Sequence, residues 1–497
     1  MATFVRRDIW NLEDEGGPWH PVIDAFAGAV GVMKQRSLAD SSDPTGWAYQ
    51  ASVHAVRAGA PVDAFQHQCQ HGSWFFLPWH RIYLHWFEEI LRTIIRTQLP
   101  GVSQQVRETW ALPYWDYSRG RQDDQWRTLP HALRTATRPD GSPNPLFTSR
   151  RNTTPGLEMN AGKPLDDLFV STRALDEQRF SRSPIPGGTN GFGGPVTGWH
   201  HDPGPAGRLE ITPHGDVHTN VGGPGGLMTA FASAPLDPAF WLHHANIDRL
   251  WVVWRHQDDV PRLDPTDPGW LNFPFPFRDA TGTPVNPRWT PRRVLDTVAD
   301  LGYTYENVDR FPARAERLPR MPEAPPPPQP GPDHPPELVG ASTAAVQLSG
   351  DRAAVAVDVG EAAGPARRGG PGDADQQVFL QIDDVRGTEN PGVTYAVYVN
   401  LPDGADPDDD PDSHYVGNVS LFGIEATNDL SRDVHGSNGL SFAFEITDLA
   451  RTQQDAGRWD PSRLTVTFVP IRGRTHRGVP MPDVPAVSVG RIGVYVR

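Results

Sequence analysis

The residues of this chain best suited to chemistry are histidines set among aromatics. His71 and His80 lie in Cys69-Gln-His-Gly-Ser-Trp-Phe-Phe-Leu-Pro-Trp-His-Arg-Ile-Tyr-Leu-His-Trp-Phe-Glu88. His214 and His218 stand at i and i+4 in Leu209-Glu-Ile-Thr-Pro-His-Gly-Asp-Val-His-Thr, on one face of a helical turn. His243 and His244 follow in Asp237-Pro-Ala-Phe-Trp-Leu-His-His-Ala-Asn-Ile-Asp-Arg-Leu-Trp251. Any one of these could be a core histidine satisfied by a single hydrogen bond. Two groups, each on helices, point instead to two metal ions held between packed helices. Neutral imidazole binds copper, zinc, iron or nickel, so ligand type alone does not name the metal.

The elements that must carry them are legible. Pro78 suits a first helical turn, and Leu84, Phe87, Leu91, Ile94 and Ile95 recur at helical spacing beyond it. Asp237 reads as an N-cap with Pro238 at the first helical position, and the helix runs on through Leu250, Val253 and Trp254. Residues 21–34 also read as helix, and His54 lies on a short helical run before Gly59. Residues 119–208 have weak periodicity and much Pro, Gly and Asp, which reads as long loops around a helical core.

These motifs resemble the two copper-binding signatures of type-3 copper proteins: the tyrosinases, catechol oxidases (polyphenol oxidases) and haemocyanins. His71, Phe76-Leu77-Pro78-Trp79-His80-Arg81, Leu84 and Glu88 match the first; Asp237-Pro238, Phe240, His244 and Asp248 match the second. The resemblance implies a binuclear centre with two copper ions and dioxygen as co-substrate. His71 and His80 would bind the first copper, and His214, His218 and His244 the second. The third ligand of the first copper is His54 or His67, and the family's placement of it on a preceding helix favours His54. His243 and Asp248 would support the ligands from behind.

Further roles come from the same resemblance. The single cysteine, Cys69, excludes an internal disulfide, and its Cys-x-His position implies a thioether bond to His71. Glu210 matches a glutamate that positions an active-site water, Phe231 an aromatic gate, and Met228 a pocket residue. Gly215 stands where strong monophenol hydroxylases often carry Asn, and Thr219 follows His218, so diphenol oxidation is the firmer expectation. Tyr303 and Tyr305 resemble a Tyr-x-Tyr mark tied to an N-terminal arginine, here Arg6 or Arg7. The implied activity is oxidation of o-diphenols to o-quinones, with monophenol hydroxylation as an addition. An o-aminophenol oxidase, a haemocyanin-like oxygen carrier and a non-catalytic zinc or structural histidine protein are the alternatives.

The whole chain of 497 residues is too long for one ordinary core. A Pro-rich run, Met321-Pro-Glu-Ala-Pro-Pro-Pro-Pro-Gln-Pro-Gly-Pro-Asp-His-Pro-Pro336, favours extended structure and marks a boundary. The expected domains are a mainly α catalytic domain at 1–318 (a four-helix bundle with long loops), a linker at 319–341, and an all-β sandwich at 342–497. The last shows strand-like alternation at Val378–Ile382, Tyr395–Val399, Leu464–Val469 and Ile492–Val496. It resembles the C-terminal domain of plant polyphenol oxidases, which covers the copper site and keeps the enzyme latent; Leu421 or Phe422 would be the plug. A net charge of −15 argues against nucleic acid or an anionic membrane as partner, leaving small phenolic substrates and room for oligomers. No apolar run of ~20 residues would span a bilayer. The start shows no apolar signal core, so the cytoplasm is the expected location, with export by a helper protein as the other route.

Overall fold

The structure, a computed structural model, describes residues 4–57, 59–60, 62–119, 124–201, 204–257, 261–308, 335–359, 376–407, 409–410, 413–428, 439–460, 462–471 and 484–497. Its N-terminal part packs helices α1 (Pro21–Ala39), α2 (Trp47–His54), α3 (Phe76–Thr97), α4 (Asp216–Gly222) and α5 (Pro238–Arg255) around one aromatic-rich core. Pro21 and Pro238 each occupy a first-turn position, and the Asp237 side chain caps α5 by accepting from Ala239 N–H at 2.9 Å. Arg151, itself buried, grips the Asp237 carboxylate through two nitrogens at 2.7 and 2.8 Å, so the start of α5 is pinned to the loop before it. The helix α1 is longer than the sequence pattern indicated, and α3 starts two residues before Pro78.

The chain's N-terminus closes this domain. Strand β1 (Phe4–Arg6) pairs in parallel with β2 (Tyr303–Tyr305), which carries Arg6 into the interior. Beneath the bundle Arg6 donates to Glu88 at 3.0 Å, to Tyr305 at 2.7 Å and to Asp248 at 3.2 Å, and its guanidinium lies 3.8 Å over the Tyr303 ring. Arg81 completes the set with Asp248 at 2.5 Å. Of the two arginines proposed from sequence, Arg6 meets the Tyr-x-Tyr pair, while Arg7 pairs with Glu15 and Glu306 on the outside.

Beyond residue 334 the fold becomes mainly β, and a helix at Thr447–Asp455 departs from the expected all-β domain. Strands β3 (Glu337–Ala341), β4 (Val346–Leu348), β5 (Ala353–Val359), β6 (Val378–Arg386), β7 (Tyr395–Val399), β8 (Tyr415–Val419), β9 (Leu440–Glu445), β10 (Arg463–Pro470) and β11 (Val487–Val496) form one antiparallel sheet. Its order is β8-β7-β10-β5-β3-β11-β6-β9, with β4 added on β11. The end strands β8 and β9 meet, so the sheet curls toward a barrel rather than splitting into the two layers expected of a sandwich. Register shifts at Tyr415/Gly417, Leu440/Phe442 and Val494/Tyr495 supply the bends that such curling needs. Strand β3 also corrects the expected boundary: residues 337–341, assigned to the linker, pair with β11 and β5. The Pro-rich run lies almost wholly outside the described residues.

The two parts share packing. All five residues of β7 are buried. Tyr395, Val397 and Val399 enter the core of the sheet, whereas Ala396 and Tyr398 join the core of the helical domain. This is the period-two alternation of a strand, with both faces covered by protein.

Candidate metal centre

Six imidazoles converge where the helices cross. His54 ends α2, His71 sits in the loop before α3, and His80 lies in the first turns of α3. Their ring centroids are 5.2–5.5 Å apart. Across from them His214, from an irregular turn at Glu210–Gly215, His218 of α4 and His244 of α5 form a second triad with centroids 4.7–5.3 Å apart. The triads face each other, His71 with His214 at 5.7 Å and His80 stacked on His244 at 4.7 Å. All six are buried. Burial pushes their basicity well below the usual histidine range, His54 to about 3, so each ring is a neutral electron-pair donor.

Hydrogen bonds decide which nitrogen faces inward. His54 Nδ1 donates to Phe231 O (2.9 Å), His80 Nδ1 to Phe76 O (2.8 Å), His214 Nδ1 to Glu210 O (3.0 Å) and His218 Nδ1 to Met228 O (2.9 Å). A carbonyl can only accept, so each of these four rings keeps its hydrogen on Nδ1 and presents a lone pair at Nε2. His71 Nδ1 meets the Glu210 carboxylate at 3.0 Å. His54 Nε2 and His71 Nε2 then approach within 3.3 Å of each other, close enough for both to bind one cation. Nε2 of His80 and of His214 is buried without a hydrogen-bond partner, a cost that a metal ion removes. The donor set therefore fits two late first-row metal ions, one per triad.

The other residues singled out in the sequence fall around this centre in different ways. Phe231 stacks on His71 at 4.1 Å and 13°, a ring lid against one triad. Glu210 is buried, with its carboxylate accepting from Gly72 N–H at 2.9 Å and lining the cavity beside the centre. Burial pushes this carboxyl up to about 8, against the opposing pull of the Gly72 and Gly207 amides. The Met228 carbonyl holds His218. Asp248 departs from its expected role. It sits one turn beyond His244 and binds Arg6, Arg81, Tyr303 and Tyr305, so it fastens the bundle floor rather than an imidazole. His67 stays outside the first triad, its Nδ1 accepting from Val56 N–H at 3.2 Å and its ring packed against His201.

Cys69 is buried with its sulfur within 4.8 Å of a ring nitrogen of His71 and of His54. The sulfur also lies 3.3 Å from His201 Nδ1. His201, and His200, which contacts the His71 carbonyl at 2.7 Å, were missed in the sequence. The adjacent pair was visible there, but it lies in a Pro/Gly-rich loop with no periodicity to place it.

The C-terminal domain reaches into the centre. Phe422 stacks on His218 at 3.9 Å and 15°, and packs against His214 (5.4 Å), His71 (5.8 Å) and Phe231 (4.9 Å). Leu421 turns the other way, into the core of the sheet. Around the plug, Asn418 donates to Asp216 at 2.7 Å and to Leu168 O at 3.0 Å, and Asn390 holds the Leu421 carbonyl at 2.7 Å. Gly215 has an ordinary φ of −65°, so space alone constrains it: a Cβ there would lie 2.6 Å from Ser420 Oγ. Gly215→Asn in the full chain is expected to loosen docking and raise diphenol turnover before any cleavage; turnover unchanged from the parent would show that the interface absorbs the side chain.

Fold and site together define a helical domain with two buried imidazole triads suited to metal, covered by a β domain, and the comparisons place it in a family. Residues 44–257 match the common central domain of tyrosinase, residues 264–319 the polyphenol oxidase middle domain, and residues 335–497 a domain of unknown function. The chain is 32% identical to tyrosinase HcTyr1 of Hahella sp. (strain CCB-MM4) over 99% of its own length and 98% of that protein. It is 33% identical to aureusidin synthase of Antirrhinum majus, over 58% of this chain and 51% of that one. In fold it is similar to latent apple tyrosinase, with a TM-score of 0.62 at 23% identity over 100% of this chain and 97% of the other. The chain belongs to the tyrosinase and polyphenol oxidase family of copper oxidoreductases.

Proposed function

We propose that the protein is a dicopper polyphenol oxidase that converts o-diphenols to o-quinones with dioxygen and is latent while the β domain is docked. The observation that carries this reading is the pair of buried imidazole triads, four of whose rings have Nδ1 tied to backbone carbonyls and Nε2 turned inward. His54, His71 and His80 would hold one copper and His214, His218 and His244 the other. Two copper ions so placed supply dioxygen binding and two-electron oxidation of the phenol.

The chain's own groups do the rest. The carbonyls of Phe231, Phe76, Glu210 and Met228 fix the ring orientations before metal arrives. Phe231 covers His71 and leaves the opposite triad as the face a flat phenol ring can approach, the face now occupied by Phe422. With Gly215 after His214, no side chain at that position can orient a water toward a monophenol, so diphenol oxidation dominates. The test is metal content together with oxygen uptake on catechol, before and after the 309–334 segment is cut. Two coppers per chain and uptake that rises on cleavage are expected; copper-loaded protein that consumes no oxygen in either state would reject the oxidase.

We further propose that Cys69 joins His71 through a thioether once copper and oxygen are present. The expected product is two hydrogens lighter by intact mass and resists thiol alkylation after unfolding; a fully alkylatable thiol in the copper-matured protein would refute it.

A further inference from the structure

An o-quinone is an electrophile, and the side chains that add to it are thiols, amines and imidazoles. This chain carries few of the first two. Of its 45 lysines and arginines only Lys34 and Lys163 are lysine. A guanidinium stays protonated at neutral pH and has no lone pair to give. The one thiol, that of Cys69, is buried two residues before His71.

Both lysines are half-buried, but their surroundings differ. Lys34 of α1 donates from Nζ to the Pro145 carbonyl at 2.6 Å and lies 5.4 Å from the Trp47 ring. Burial lowers its basicity, yet the amine stays shut between that carbonyl and the ring. Lys163 is tied only through its backbone, its N–H donating to Glu158 O at 3.3 Å. Its Nζ meets no hydrogen-bond or ion-pair partner among the described residues. The loop that bears it is bonded at both ends. Asn152 donates to Asn220 O in α4 at 2.9 Å, and Met159 N–H donates to Asn152 O at 3.0 Å. Further along, Leu168 O accepts from Asn418 of β8 at 3.0 Å. The loop therefore runs from the helix that carries His218 to the seam with the β domain.

We propose that Lys163 is the side chain that takes up o-quinone leaving the site, and that the scarcity of other side-chain amines keeps such adducts to this position. The inference rests on the oxidase reading above. In the step the Nζ lone pair adds to a ring carbon of the quinone. An N–C bond forms, a ring C=C π bond breaks, and its electrons move to a carbonyl oxygen. The proton lost by the amine and the ring hydrogen at the new bond pass through solvent to the two oxygens. The ring is then an aromatic catechol attached to lysine, and no outside oxidant or reductant has taken part. A second quinone removes two hydrogens from the attached catechol, leaving an aminoquinone, and is itself reduced to free catechol.

The test uses full-length, copper-loaded protein with its linker cut, incubated with 4-methylcatechol in air and then digested for peptide mass mapping, with oxygen uptake recorded first. A parallel sample receives preformed 4-methyl-o-benzoquinone and no phenol. In both, the peptide bearing Lys163 should gain the mass of one quinone, with or without its last two hydrogens, while the Lys34 peptide stays unmodified. Lys163→Arg should remove the adduct and leave the initial rate of catechol oxidation unchanged. Arg150→Lys, at an exposed position whose guanidinium reaches only the Gly225 carbonyl, should add a second adduct at residue 150. An unmodified Lys163, adducts on Lys34 or on histidines in its place, or an unmodified residue 150 in that variant overturns the proposal. Absence of oxygen uptake overturns the functional reading, and the preformed quinone then decides the lysine by itself.

Discussion

Replacing Phe422 by alanine is expected to convert the latent protein into an active diphenol oxidase without any cut in the chain. The ring fills the approach to the second triad and lies flat on His218, so its removal acts twice. It opens a path for a flat phenol in the docked state, and it takes away apolar contact that holds the domain down. Burial of a phenyl side chain stabilises by about 2 kcal/mol. While the open form is a minor state, losing that much multiplies it roughly thirtyfold. Steady-state oxygen uptake on catechol should therefore rise by at least about an order of magnitude, with copper content unchanged. Deleting residues 337–497 should set the upper limit. If Phe422→Ala matches the parent while the truncated chain is fast, docking blocks the site through something other than this ring.

The second large effect concerns the floor of the bundle. Asp248→Ala should destabilise the protein by about 3–5 kcal/mol, because Arg81 is left as a buried charge without a carboxylate and Arg6 keeps only Glu88. Chemical unfolding monitored by tryptophan fluorescence should show an earlier transition; a midpoint within error of the parent would mean that water enters and solvates the two guanidinium groups. The same network dictates an acid response. Burial opposes ionisation of Glu88, but Arg6 and Arg92 outweigh it and lower its carboxyl from 4.5 to about 2. A group depressed on folding contributes stability that is complete above its unfolded value and lost as pH falls through the folded one. This contribution, of order 3 kcal/mol, should fade between about pH 4.5 and 2. In Glu88→Gln the loss over that window should shrink; an identical acid profile would assign the loss to other carboxylates.

Much of this centre could be read before any coordinates. Metal chemistry is written in residue types, and the spacing of His214 and His218 or of Asp237, Pro238 and His244 puts those types on predictable helical faces. What holds the rings is written in the backbone. The carbonyls of Phe231, Met228, Phe76 and Glu210 have no side-chain signature, so nothing in the sequence marked the Met228 oxygen that holds His218. Asp248 misled for a related reason, since adjacency to His244 along the helix says nothing about which face meets Arg6 from a strand more than two hundred residues away. In the β domain, alternation identified strands such as Tyr395–Val399, but closure of the sheet depends on local bulges and on which strands become neighbours. The opening strand at Glu337–Ala341 was lost beside the prolines.

The strand at Tyr395–Val399, buried on both faces, has a consequence for regulation over time. A released β domain would turn Ala396 and Tyr398 to water beside Phe422, an apolar stripe of the kind that drives self-association. While the linker is whole, the tether keeps that stripe at high effective concentration near its own seat, and opening is reversible. Once the linker is cut, return must compete with clumping of the freed fragment. If cleavage of the linker activates the protein as proposed, that activation is a ratchet, and the working lifetime after cleavage is set by how long the uncovered helical domain lasts alone.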